Sequence, residues 1–210
     1  MLPSLVQGIY RLPLQGMLPS RNSWLLVKNR QSYSLDFLAL KLLYFCFLGG
    51  GLMGAGIAQV GAQTGHKVTL VDVSQDVLDK SQARISESIK RVAKKKFKDD
   101  AAAGDKFIAQ AIGQLQIATN PDEALSTADL VVEAVTENLD LKLKLFKAYD
   151  QVAPAKTIFA SNTSSLSIRD IANATPNRLD RFGGLHFFNP VPVMKLLEVC
   201  IHTLSHLLTG

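Results

Sequence analysis

A histidine and a glutamate near the end of the chain each interrupt a strongly apolar stretch. His186 lies in the string LHFF (residues 185–188), and Glu198 lies in LLEV (residues 196–199). A buried carboxylate needs a partner, and an imidazole beside it would hold one tautomer and be stabilised when protonated. Because histidine titrates near neutral pH, such a pair can take the proton of a substrate hydroxyl. Taken singly, each residue is more often structural; as a pair they are candidates for catalysis.

A glycine-rich string gives a second chemical signal. Residues 49–54 read GGGLMG, which fits G-x-G-x-x-G between a strand candidate and a helix candidate. Gly49 can turn tightly, Gly51 lets the backbone approach a pyrophosphate, and Gly54 lets the helix lie close to the strand. The alternative is a glycine-rich turn that binds nothing. The free N–H groups at the helix N-terminus favour phosphate binding, so cofactor contacts are predicted from Gly49, Gly50, Gly51, Leu52, Met53 and Gly54.

Asp72 ends the next strand candidate and distinguishes between two cofactors. A carboxylate at this place accepts hydrogen bonds from both hydroxyls of the adenosine ribose and would repel a 2′-phosphate. The residues that follow, Val73, Ser74 and Gln75, include no arginine. The sequence therefore predicts NAD rather than NADP, the alternative being that Asp72 only caps the next helix.

Strands and helices alternate along the chain. Apolar or β-branched runs predict strands at residues 42–48, 67–72, 116–118, 129–135, 157–161, 182–188 and 195–200. Between them we predict helices at 52–64, from the N-cap Ser74 to about 98, at 105–115 after a break at Gly104, in a turn led by Pro121, at 138–152 and at 168–174. This order implies right-handed βαβ crossovers, and thus an α/β fold with a doubly wound, mostly parallel sheet.

The N-terminal segment differs in composition from the rest. Arg11, Arg21, Lys28 and Arg30 precede Asp36, and no acidic residue does. We expect residues 1–41 to be a leader, either a mitochondrial transit peptide or an unstructured or wrongly spliced segment. We assign residues 42–200 to one folded domain and 201–210 to a divergent tail. Because the excess charge lies in the leader, it gives no indication of nucleic-acid binding.

Membrane and metal sites are not predicted. The longest apolar run, residues 37–48, is too short to span a bilayer and contains Lys41. Cys46 and Cys200 have no metal-ligand spacing and give no disulfide framework, which favours a reducing compartment.

Four strings together resemble the short-chain L-3-hydroxyacyl-CoA dehydrogenase family of fatty-acid β-oxidation. They are LGGGLMGAGIAQV, VVEAVTENL, TIFASNTSSLSI and GLHFFNPVPVMKLLEV, and the resemblance runs from about Leu48 to about Val199. It implies a Rossmann-type domain with a helical arm, followed by an all-helical domain that dimerises. The implied reaction oxidises a 3-hydroxyacyl-CoA to the 3-oxoacyl-CoA with NAD, in the mitochondrial matrix.

The resemblance also implies roles for individual residues. His186 becomes the catalytic base and Glu198 its orienting partner. Ser164, in the polar string 161–165 after a strand, becomes a contact to both substrate and nicotinamide; the alternative is a loop that caps the next helix. Further nucleotide contacts fall on Glu137, Lys142 and Asn189.

A basic cluster marks the long helix: Lys90, Arg91, Lys94, Lys95, Lys96 and Lys98. Such runs are usually solvated faces. Within the resemblance, however, Ser88 and Lys95 match contacts to coenzyme A, and their seven-residue spacing places them on one helix face.

The sequence departs from the family pattern at both ends of the domain. The strand at 42–48 carries two phenylalanines and a tyrosine instead of valine and isoleucine, and the pattern stops after Val199, with Gly210 as the last residue. We therefore expect the helical domain to be missing and activity to be impaired. The alternative is an NAD(H)-binding module without turnover, regulatory or structural; a 3-hydroxybutyryl-CoA dehydrogenase would share every residue named above.

Overall fold

The computed structural model of the chain describes residues 10–13, 43–194 and 196–201. Its strands are β1 (Tyr10–Pro13), β2 (Tyr44–Leu48), β3 (Lys67–Val71), β4 (Leu115–Ala118), β5 (Leu130–Glu133), β6 (Ile158–Ser161), β7 (Phe182–Phe187) and β8 (Leu196–Ile201). Its helices are α1 (Leu52–Gln63), α2 (Gln75–Lys96), α3 (Ala101–Gly113), α4 (Asp122–Thr127), α5 (Leu139–Tyr149) and α6 (Ile168–Ala172), with a 3-10 segment at Pro176–Arg181.

One eight-stranded sheet organises the described residues, in the order β1-β8-β7-β6-β5-β2-β3-β4. Strands β2 to β7 run parallel, whereas β8 is antiparallel to β7 and β1 is antiparallel to β8. From β2 the chain winds outward through β3 and β4, and from β5 it winds the other way. This confirms the predicted doubly wound α/β fold, in which ligands bind at the carboxyl ends of the strands where the winding reverses.

The aromatic strand β2 fits the centre of the sheet because its alternate side chains fill two cores. Phe45 and Phe47 pack with Val68 and Leu70 on one face, while Cys46 and Leu48 belong to the core on the other. A methyl group on Gly61 of helix α1 would lie 3.2 Å from the Phe47 ring. The glycine therefore leaves room for the phenylalanine ring.

N-cap side chains mark the starts of α2 and α3, and one predicted boundary is wrong. Ser74 accepts a hydrogen bond from Val77 N at 3.4 Å, which confirms it as the N-cap of α2. The predicted break at Gly104 is wrong, because Asp100 caps α3 by accepting from Ala103 N at 2.9 Å and the helix continues through the glycine. A side chain that can accept from the first turn decides where a helix starts.

Two elements were not predicted. Strand β1 lies within the range assigned to the leader and pairs with β8, with Tyr10 opposite Val199. The 3-10 segment contains Arg178, whose side chain is only 4% exposed.

Within the described ranges, no helix is long and apolar enough to cross a membrane. Cys46 and Cys200 are free thiols. Burial raises the pKa of Cys46 to about 12, so this thiol stays protonated and behaves as a small apolar residue.

Candidate active site

The glycine turn between β2 and α1 is shaped by close backbone approaches. Gly49 has a positive φ of 101°, and a side chain there would meet the carbonyl oxygen of Ala134 at 2.7 Å. A methyl group on Gly54 would lie 1.8 Å from the carbonyl oxygen of Gly49. Both glycines are therefore required by the turn itself, as predicted, because only glycine tolerates such a conformation and such a contact.

Gly51 has the opposite surroundings. In the described part of the chain, a methyl group built on it meets no atom within 4 Å, and no side chain caps the N-terminus of α1 that Gly51 begins. The first turn of a helix carries N–H groups without partners in the helix. The turn thus presents backbone donors to open space, which is the arrangement that a pyrophosphate needs.

The Asp72 carboxylate is held in place by two backbone donors. Its Oδ2 accepts from Gly50 N at 2.7 Å, and its Oδ1 accepts from Ser74 N at 3.0 Å. It thus contacts the N-cap residue of α2, but the cap itself is made by the Ser74 side chain. A carboxylate oriented beside the glycine turn, with lone pairs remaining on both oxygens, fits the ribose-binding role. These residues suit a bound NAD.

His186 and Glu198 face each other across β7 and β8. They are directly paired in the antiparallel register, and His186 Nδ1 lies 3.1 Å from Glu198 Oε2. Their side chains are 27% and 21% exposed, and the Phe188 ring lies 4.5 Å from the imidazole. Because Nδ1 faces the carboxylate, Nε2 is the nitrogen that can exchange a proton with a substrate.

The pair opens into a cavity of about 340 Å³ between the β6–α6 loop and the β7–β8 strands. The exposed Ser164 lines the same cavity. The structure therefore brings together the three residues that the sequence assigns to catalysis. The lining residues are Thr163, Ser164, Ser165, Leu166, Ser167, Ile168, Gly184, His186, Glu198, Val199 and Cys200.

Glu137 organises the β6–α6 loop beside this cavity, residues 162–167, which we call the serine loop. Its Oε1 accepts from the Thr163 hydroxyl at 2.5 Å, Ser164 N at 3.0 Å and Ser165 N at 3.2 Å. Burial alone would raise the pKa of Glu137, but these hydrogen bonds and the charge of Lys142 lower it to about 2. The side chain is thus an anion that fixes the backbone of Ser164.

Lys142 lies beneath that loop rather than in the cavity. Its side chain is 1% exposed, and its ammonium lies 2.6 Å from Glu133 Oε1 and 3.3 Å from Glu137 Oε2. This position leaves Glu137 between the Lys142 ammonium and the loop that lines the cavity.

Glu133 was missed by the sequence analysis. It ends β5, it is fully buried, and it binds the ammonium of Lys142, Val135 N at 2.7 Å and the Ser161 hydroxyl at 2.6 Å. The signal that identified Glu198, a carboxylate in an apolar string, is equally present in LVVE at residues 130–133.

The remaining predicted residues lie outside the residues that line the cavity. Asn189 is exposed just after β7, and Leu52 and Met53 start α1. On α2, Ser88 is half-buried and Lys95 is exposed. The basic cluster around them is partly engaged, since Lys90 pairs with Glu87 at 2.8 Å and the Lys96 ammonium lies over the Phe97 and Phe107 rings.

Comparisons with known proteins identify the family of the chain. Residues 45–206 match the family described as 3-hydroxyacyl-CoA dehydrogenase, NAD binding domain. The mitochondrial hydroxyacyl-coenzyme A dehydrogenase of Mus musculus is 59% identical over 152 residues, which cover 72% of this chain and 48% of that protein. The human protein of the same name is 58% identical over the same length.

Two solved structures similar to this chain are 3-hydroxybutyryl-CoA dehydrogenases by name. The (S)-3-hydroxybutyryl-CoA dehydrogenase PaaH1 from Ralstonia eutropha has a TM-score of 0.66 and 42% identity, covering 73% of this chain and 52% of its own. A 3-hydroxybutyryl-CoA dehydrogenase from Escherichia coli has a TM-score of 0.65 and 38% identity, covering 76% and 32%. The chain spans about half the length of the curated relatives it matches. With a family match across most of its length, a doubly wound sheet and a glycine turn facing Asp72, the chain belongs to the 3-hydroxyacyl-CoA dehydrogenase NAD-binding domain family.

Proposed function

We propose that the protein is an NAD-dependent 3-hydroxyacyl-CoA dehydrogenase, which oxidises L-3-hydroxyacyl-CoA to 3-oxoacyl-CoA in fatty-acid β-oxidation. The observation that carries the proposal is the His186–Glu198 pair, 3.1 Å apart in a cavity shared with Ser164. This pair lies on the sheet of a domain whose family is described as NAD-binding. A base, its partner and a hydroxyl contact in one cavity are what alcohol oxidation requires from side chains.

Each residue has a defined part in this reaction. NAD, when bound, supplies the acceptor for the hydride that leaves the alcohol carbon. His186 takes the hydroxyl proton on Nε2, and Glu198 stabilises the imidazolium that results. Ser164 donates to the substrate oxygen, with its backbone held by Glu137.

The cofactor is assigned to the glycine turn and Asp72. Gly49, Gly50, Gly51, Leu52, Met53 and Gly54 surround the pyrophosphate, with Asp72 on the ribose and Asn189 on the nicotinamide side. Glu137 contacts the nucleotide directly and Lys142 supports it, as its burial favours.

The wider assignments belong to the same proposal. Ser88 and Lys95 on α2 contact the phosphates of coenzyme A. Residues 42–200 form the cofactor domain and 201–210 a tail; residues 1–41 are a leader apart from strand β1 (Tyr10–Pro13), which joins the sheet of the domain. The protein works in mitochondria, specifically in the matrix; relatives that are named as mitochondrial favour this location. The whole protein is a homodimer, and it binds acyl-CoA and no nucleic acid.

The test is the oxidation of NADH by acetoacetyl-CoA, followed at 340 nm. The purified chain should show turnover that disappears in His186→Ala, while NADH fluorescence titration shows that the variant still binds the cofactor. A control variant, His66→Ala, changes a buried histidine that stacks on Phe45 rather than lining the cavity, and should retain turnover when folded. Undiminished turnover in His186→Ala would rule out the assigned base.

A binding module without turnover is the second candidate. The cofactor turn is complete within the described residues, while His186 and Glu198 remain partly open to solvent. An open site positions a substrate poorly, and small misplacements reduce rates by orders of magnitude. NADH binding without turnover in the unmodified chain would favour this candidate.

A further inference from the structure

Three charged side chains form a connected group beneath the serine loop. Glu133 and Lys142 are almost completely buried, and their charged atoms lie 2.6 Å apart. Lys142 also reaches Glu137 at 3.3 Å, and Glu137 is 37% exposed. We call Glu133, Lys142 and Glu137 the charge triad. It holds two carboxylates and one ammonium, so as ions it carries one net negative charge.

This charge lies at the proposed site rather than at a remote place in the fold. Glu133 ends β5 and binds the hydroxyl of Ser161, which ends the neighbouring β6. Glu137 binds the backbone of Ser164 and Ser165, which line the cavity with His186. These contacts place the charge triad at the carboxyl ends of the strands, on the side of the sheet where the winding reverses.

The two forms of a nicotinamide cofactor differ by one unit of charge at the ring, which is cationic when oxidised and neutral when reduced. A fixed negative charge in a partly desolvated setting attracts a cation more strongly than it would in water. A buried ion pair adds little to stability compared with apolar residues of the same volume. The Glu133–Lys142 pair can therefore influence the site through its charge while contributing little to stability.

We propose that Glu133, through the charge triad, is a positioning residue that raises the affinity of the site for the oxidised cofactor relative to the reduced one. This inference rests on the proposed function, because it requires the nicotinamide ring to lie beside the serine loop. Glu133 acts through Lys142 and Glu137 and touches neither substrate nor cofactor.

The experiment measures the ratio of the NAD⁺ and NADH affinities in the full chain. NADH binding is followed by nicotinamide fluorescence, and NAD⁺ binding by displacement of NADH. Glu133→Gln removes one negative charge and keeps the shape of the side chain. Glu137→Gln removes the same charge at a partly exposed position, so it covers the case in which Glu133→Gln does not fold.

Both variants should shift the affinity ratio toward NADH by at least about twofold and up to about fifteenfold. This range corresponds to one unit charge over on the order of 10 Å at an effective dielectric constant of roughly 20 to 80. The double variant Glu133→Gln/Lys142→Met removes one charge of each sign and leaves the net charge unchanged. Its ratio should therefore return to that of the unmodified chain.

The matched control is Asp150→Asn, which breaks a similarly buried pair with Arg178 at 2.7 Å near the opposite end of β6. It should lower the melting temperature and leave the affinity ratio unchanged. An unchanged ratio in a folded Glu133→Gln variant, an unchanged ratio in Glu137→Gln where Glu133→Gln does not fold, or a double variant as shifted as Glu133→Gln, overturns the inference while the proposed function stands. Failure of the unmodified chain to bind either form overturns the proposed function itself.

Discussion

Replacing Arg178 by methionine should remove a side chain that donates five hydrogen bonds. Its guanidinium donates to Asp150 Oδ1 at 2.7 Å and to the carbonyl oxygens of Pro154 at 2.7 Å and Thr157 at 2.9 Å. It also lies over the Phe159 ring, 4.4 Å from its centre. Methionine fills part of the same space but donates no hydrogen bond.

The magnitude follows from what is left behind. Asp150 is only 13% exposed on its side chain, and breaking a buried ion pair by removing one partner costs about 3–5 kcal/mol. The carbonyl groups lose their donor as well, at about 1 kcal/mol each where water cannot replace it. Because these losses overlap, we expect a decrease of about 4 kcal/mol in the free energy of unfolding. For a domain of this size the melting temperature should fall by on the order of 10 °C.

Urea unfolding followed by far-UV circular dichroism measures this change. Arg181→Met provides the control, because Arg181 is 35% exposed and pairs with the exposed Asp180; its loss should be below about 1 kcal/mol. A decrease below about 1 kcal/mol in Arg178→Met would refute the reasoning that these contacts hold the 3-10 segment against β6.

Two further predictions concern the site. Gly54→Ala should weaken NADH binding at least about tenfold in a fluorescence titration, because its methyl group would overlap the Gly49 carbonyl oxygen. The control is Gly113→Ala, at the end of a helix with open space around it, which should leave the NADH affinity unchanged. Equal NADH affinities in the two variants would contradict the assignment of the glycine turn to cofactor binding. Glu137 has a folded-state pKa of about 2 against an ordinary value of 4.5, so its stabilisation is fully present above pH 4.5 and is lost as the pH falls toward 2. Because the side chain is 37% exposed, we expect solvent screening to reduce this contribution to about 1 kcal/mol. Urea unfolding at about pH 5 and pH 3 should show that the free energy of unfolding falls less on acidification in Glu137→Gln than in the unmodified chain. Equal decreases in the two proteins would contradict the lowered pKa.

The sequence predicted the order of elements because strand and helix leave different periodicities. The apolar runs around β2, β3 and β5 and the apolar stripe of α2 are local signals, and each produced an element within a few residues of its observed bounds. The His186–Glu198 pair was predicted for the same reason, since polar residues that interrupt an apolar strand must be paired when buried.

Features that depend on distant contacts were not predictable in this way. The 3-10 segment at Pro176–Arg181 has no apolar period, and it depends on Arg178 reaching the carbonyls that precede β6. Burial of Lys142 between two carboxylates is a tertiary property that no spacing reveals. Gly104 was misread because glycine often ends helices, whereas here the Asp100 cap determines the start of α3.

The contact between Phe47 and Gly61 makes two positions of the chain interdependent. The ring of Phe47 and the side chain of Val68 occupy the volume that a methyl group at residue 61 would need. Alanine at 61 should thus be accepted better alongside a narrower residue, such as valine, at 47, and the remaining close contact would be with Val68 at 3.1 Å. When this domain is recombined with its relatives, strand β2 and helix α1 should therefore be exchanged as one cassette.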